Sequence, residues 1–166
     1  MYLTIGAQAL LGLVFLAAVV GKISSRATYR AFTGSVREMG FRPAGPLAAL
    51  VVAAESATVA LVLLYRPAGF ALAALLLLAF AAAIVAGLRR AGTATCRCFG
   101  RTAVPLGHHH VWRNALLIGC AAVGAFAPTG PVRVEAAALA VGCGLVAGAL
   151  IVMLDDLRYL FMPRRT

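Results

Sequence analysis

Two cysteines one residue apart, in the run Cys96-Arg97-Cys98-Phe99-Gly100-Arg101, are the residues of this chain best suited to covalent chemistry. A Cys-x-Cys pair can close a small, strained disulfide ring. Strain makes such a bond easier to reduce, which suits exchange better than stapling. Arg97 lies between the thiols and Arg101 close behind, and positive charge favours the nucleophilic thiolate. Gly100 permits a sharp turn and the close approach of a partner backbone. The plain alternative is a pair of unrelated small apolar residues at a loop start. The pair alone falls short of a zinc site, which takes four protein ligands, or three with a water, so no metal ligand is assigned.

Other residues bear on the same chemistry. Glu55 falls inside a long apolar stretch, where an ionised carboxylate costs at least a few kcal/mol. It needs a proton or a partner, and Lys22 and Arg113 are the candidates, both near span ends from which long side chains can snorkel. Two roles suit Glu55: a proton donor or acceptor for thiol chemistry, or a polar tie between helices. Cys120 and Cys143 form a possible second pair. Each lies about ten residues from the turn at Pro128–Pro131, so a helical hairpin brings both to similar depth. Against pairing, cysteine is also an ordinary small apolar residue, and the neighbouring glycines suit close helix packing. His108, His109 and His110 admit three readings: a soft-metal site with the cysteines, an interfacial turn, or a base that activates a thiol.

These residues must be positioned by helices in a lipid bilayer. Of 166 residues, 63% are hydrophobic and 12% charged. Mean hydropathy is +0.96. A soluble domain carries about twice that share of charge. Five apolar stretches, residues 3–21, 46–65, 69–88, 111–127 and 136–154, each approach the ~20 residues that cross a ~30 Å hydrocarbon core. The expected fold is an all-α bundle of about five transmembrane helices in one polytopic domain, with no soluble second domain. The first stretch lacks a basic segment before it and reads as a retained span. Residues Tyr29, Phe32, Val36 and Met39 recur at helical spacing, with Arg26, Arg30 and Arg37 mainly on another face. They make either an amphipathic helix lying on the inner leaflet or an extension of the first span.

The net charge of +10 would suggest nucleic acid on a soluble protein. Here the basic residues gather in alternate connections: Lys22 to Arg42, Arg89 to Arg113, and Arg158 to Arg165. The remaining two connections hold only Arg66 and Arg133. No nucleic-acid partner is implied. The positive-inside rule places the N-terminus outside and the cysteine loop on the cytoplasmic side of the membrane.

The wider pattern resembles the MauE family, the methylamine-utilisation membrane proteins related to DoxX-like proteins. The residues that carry the likeness are Cys96-x-Cys98-Phe99-Gly100, then Trp112-Arg113-Asn114 opening a hydrophobic helix. Upstream are Gly21-Lys22, Phe32, Gly40, Pro43 and Glu55. The resemblance spans residues 10–117, and its fold implication is a core of four helices plus one C-terminal helix. It implies a redox-associated membrane protein that supports maturation of a disulfide-containing client, with a thioredoxin-like or cysteine-containing partner. Within the methylamine system the resemblance implies methylamine dehydrogenase as the client, a substrate that does not carry over to this chain.

The resulting expectation is thiol–disulfide exchange through Cys96 and Cys98, supported by Arg97, Phe99, Gly100, Arg113, Asn114, Glu55 and Lys22. A quinone is a candidate electron acceptor, without a residue that marks its pocket. A client outside the membrane conflicts with a cytoplasmic loop. The conflict resolves through a cytoplasmic electron donor, a loop that folds back into the bundle, or failure of the charge rule. Two rivals stand beside exchange: a non-catalytic scaffold for a thioredoxin-like protein, and a metal handler or small-solute transporter. For transport the polar residues within spans (Gln8, Glu55, Ser56, Thr58, Asn114) make a thin line.

Overall fold

The computed structural model describes residues 1–91, 95–96, 104–105, 108–128 and 130–161. Among these are six helices: α1 (Tyr2–Ile23), α2 (Arg26–Glu38), α3 (Ala44–Leu64), α4 (Arg66–Ala91), α5 (His108–Phe126) and α6 (Val134–Phe161). Between α4 and α5, two-residue strands β1 (Thr95–Cys96) and β2 (Val104–Pro105) pair antiparallel, with Thr95 opposite Pro105 and Cys96 opposite Val104.

Helices α1, α3, α4 and α6 are long and apolar enough to cross a membrane. Such helices satisfy their own backbone hydrogen bonds, as hydrocarbon demands. Helix α5, with 19 residues, falls short because its first two turns carry His108 to His110, Trp112, Arg113 and Asn114. The chain is a multi-pass membrane protein with four such helices among its described residues, and α5 holds the remaining one of the five apolar stretches.

Helices α1, α3, α4 and α5 close a ring, and α6 lies outside it against α1. Side-chain contacts set the directions. Gln8 Nε2 donates to the Val62 carbonyl at 2.6 Å, and Lys22 reaches Glu55, so α1 and α3 run antiparallel. The α1 N-terminus meets the far end of α5: the Met1 ammonium donates to the Pro128 carbonyl at 2.6 Å. The core gathers Leu11, Val14 and Phe15 of α1 with Phe70, Ala73 and Leu77 of α4 and Leu117 and Ala121 of α5. Helix α6 approaches α1 closely because Gly144 faces the Gly6 backbone, where any Cβ would collide with the carbonyl oxygen.

Helix α2 is a separate element rather than an extension of α1. Ser25 breaks from α1 and caps α2 through a capping box: the Thr28 backbone donates to Ser25 Oγ at 3.1 Å, and the Ser25 backbone donates to Thr28 Oγ1 at 3.0 Å. The other end closes on Gly40, whose φ of 88° suits glycine alone. There Gly40 N–H donates to the Arg37 carbonyl and Phe41 N–H to the Val36 carbonyl, the Schellman pattern that turns a chain back on its helix. The apolar face of α2 packs on the bundle. Phe32 and Val36 pack with Ala44 and Ala48 of α3, while Arg26, Arg30 and Arg37 stay exposed. Helix α2 therefore lids one end of the bundle.

Candidate functional site

The site lies under that lid. Lys22 is part of α1, one residue before its end, rather than a residue beyond the span. Its carbonyl accepts a hydrogen bond from Thr28 Oγ1 at 3.2 Å, so the α2 cap also holds the end of α1. Its side chain turns inward instead of snorkelling. Lys22 is 3% exposed and Glu55 1%. Lys22 Nζ donates to both Glu55 carboxylate oxygens, at 2.8 and 3.0 Å, and to the Ala18 carbonyl at 3.4 Å. It also lies 5.2 Å from the centre of the Phe32 ring, within cation–π range. Of the two partners expected for Glu55, Lys22 is the one that forms the ion pair.

Beside this pair is a cavity of about 250 Å³ between α1, α2, α3, α4 and α5. Its wall is apolar apart from Lys22, Glu55, Ser35, Arg113 and Asn114. Asn114 is 3% exposed, and its Nδ2 has no hydrogen-bond partner among the described residues. An amide donor buried without a partner is costly. Helix α5 brings it there: Asn114 and Leu117 share the face turned to the core, whereas Trp112 is 76% exposed. Trp112 therefore points away from the site, as tryptophans at a membrane interface commonly do.

Strand β1 lies beside α2, which brings the Cys96 backbone to the lidded end. Arg97, Cys98, Phe99, Gly100 and Arg101 lie outside the described residues. His109 and His110 belong to the first turn of α5 rather than to a turn before it, their rings 3.9 Å apart. His110 is buried. Among the described residues, no three His, Cys, Asp or Glu gather as a metal site.

Cys120 and Cys143 are both free thiols. They line one groove together with Gly6 and Gly144. Helix α6 packs on α1 rather than stacking on α5 as a hairpin. The tight turn places the two cysteines near one groove, but the Gly6–Gly144 contact decides where α6 goes.

A family profile described as Methylamine utilisation protein MauE matches residues 1–127. The chain belongs to the MauE family. The match covers α1 to α5, hence the whole four-helix ring, its lid and the cysteine run, and stops before α6. Searches of curated proteins and of solved structures return no match. The family likeness noted in the sequence thus extends further toward the N-terminus than residue 10, and every residue of the Lys22–Glu55–Asn114 site falls within it.

Sequence reasoning missed the cavity and the inward turn of Asn114. The asparagine was visible in an apolar stretch, but its face depends on the phase of α5 against α4. The aromatic walls, Phe15, Phe41 and Phe80, carried no signal beyond ordinary core composition.

Proposed function

We propose that this protein is a membrane thiol–disulfide redox protein that supports maturation of a partner protein through Cys96 and Cys98. The observation that carries the reading is the convergence, at one end of the bundle, of the cysteine-bearing β1, the α2 lid and the buried Lys22–Glu55 pair. Membership of a family described for methylamine utilisation supports it.

In the exchange, the thiolate of one cysteine attacks a partner disulfide. A mixed disulfide forms and one partner thiolate leaves. The second cysteine then attacks the mixed disulfide, releasing the other partner thiolate and leaving Cys96 and Cys98 bonded. Run backwards, the same steps oxidise a partner dithiol, and the relative potentials set the sense. Arg97 and Arg101 favour the thiolate. Lys22 and Glu55 hold charge and protons near the site, and Arg113 and Asn114 shape its floor. The partner is a thioredoxin-like or cysteine-containing protein.

In this reading α5 is a fifth crossing, its 19 residues covering about 28 Å. The N-terminus then lies outside and the Cys96 end faces the cytoplasm of a bacterial cell, on the distribution of basic residues.

Replacing each cysteine by serine tests the proposal. One of Cys96→Ser and Cys98→Ser should accumulate a partner-linked mixed disulfide on non-reducing gels, and both should lose maturation of the partner. A scaffold without thiol chemistry would keep that function in both variants and trap nothing. An impermeant thiol reagent on intact cells should label Cys96 and Cys98 only after permeabilisation if the orientation is right.

A further inference from the structure

We propose that the cavity beneath α2 binds the ring of a membrane quinone, with Asn114 Nδ2 donating a hydrogen bond to a ring carbonyl oxygen. Three observations converge on a neutral, carbonyl-bearing ring. First, the wall is almost wholly apolar and includes four phenylalanines, Phe15, Phe32, Phe41 and Phe80, residues suited to packing against a flat ring. Second, Asn114 on the cavity wall carries a buried donor, Nδ2, without a partner among the described residues, and a quinone oxygen is an acceptor. A hydrocarbon chain would leave that donor unmatched. Third, the Lys22 ammonium on the wall is already neutralised by Glu55, so it offers no uncompensated charge to an anionic headgroup, and Arg113 is the wall's other cation. The space, about 250 Å³, exceeds the ~150 Å³ that holds a benzene ring in an apolar protein cavity.

The proposal deepens the exchange reading and rests on it for its chemistry. The dithiol at Cys96 and Cys98 would give up two electrons and two protons as one S–S bond forms. The quinone would take both electrons, and its two carbonyl oxygens would gain the two protons as O–H bonds. The partner protein would then be oxidised by the disulfide so formed. Binding itself needs neither cysteine.

The test uses the full chain in nanodiscs with decylubiquinone as the probe, and decanol as a ringless competitor. Saturable binding is expected, with the bound carbonyl stretch shifted to lower frequency by the Asn114 hydrogen bond. Asn114→Leu should weaken binding about tenfold and abolish the shift. Ala83→Phe, which fills the cavity from a half-buried wall position without removing a polar group, should weaken binding at least as much. The Cys96→Ser/Cys98→Ser double variant should bind as the natural protein does but form no quinol. Absence of saturable binding, displacement by decanol as effective as by quinone, or unchanged affinity in both cavity variants would overturn the site. Binding with the expected shift, but no quinol from the reduced natural protein, would uphold the site and defeat the exchange reading instead.

Discussion

The buried Lys22–Glu55 pair makes a demanding prediction, because its two halves should behave differently alone and together. At an effective dielectric constant of about 20, unit charges 2.8 Å apart attract by about 6 kcal/mol. Removing two ions from water costs several kcal/mol each, so the pair as a whole contributes little net stability. Removing one member is another matter, since the survivor remains buried with its desolvation unopposed, a loss of about 3–5 kcal/mol. Lys22→Met should therefore destabilise the protein by about that amount. Glu55→Met should cost less, because Lys22 lies one residue from the end of α1 and can extend toward the interface. Glu55 has no such escape. It sits about 16 Å along α3 from Ala44 at the helical rise. The double variant Lys22→Met/Glu55→Met should return to within about 1 kcal/mol of the natural protein, an isosteric apolar pair replacing an ionic one. Reversible unfolding in mixed micelles of rising denaturing-detergent fraction measures all four corners of the cycle. Additive losses in the double variant, or a Lys22→Met cost below about 1 kcal/mol, would refute the claim that these residues form a desolvated pair.

Two further outcomes test the frame around the site. Gly144→Leu should push α6 off α1 and cost about 1–3 kcal/mol or more, since a side chain there meets the Gly6 carbonyl; Gly142→Leu, which meets nothing within 4 Å, should be near neutral in the same unfolding assay. Ser25→Ala removes the α2 cap and should lower the stability of the lid by about 1 kcal/mol, seen as faster amide exchange across residues 26–38 with exchange in α4 unchanged.

Helical composition and span length were legible in the residues because both are local. About twenty apolar residues in hydrocarbon have one way to satisfy their backbone, and the break clusters at Arg66-Pro67 and Pro128 stand where helices end. The Cys-x-Cys run and the demand of Glu55 for a partner were equally local, one a matter of spacing and the other of charge in the wrong solvent. The choice of Lys22 over Arg113 was not, because both residues sit near span ends and either side chain is long enough. The antiparallel register of α1 and α3 settles it, and the Gln8–Val62 contact at the opposite end shows the same register.

The same division runs through the rest of the molecule. Sequence alone determined that this chain is a bundle of membrane helices, that a carboxylate would need company inside it, and that two cysteines stand one residue apart. Tertiary structure decided that α2 packs onto α3 as a lid, that α6 leaves α5 for α1, and that Asn114 turns inward to a cavity. Each of these depends on which faces of separate helices meet. That choice rests on close-range packing, a missing Cβ at Gly144 or a ring at Phe32, and periodicity along one helix carries no information about its neighbour.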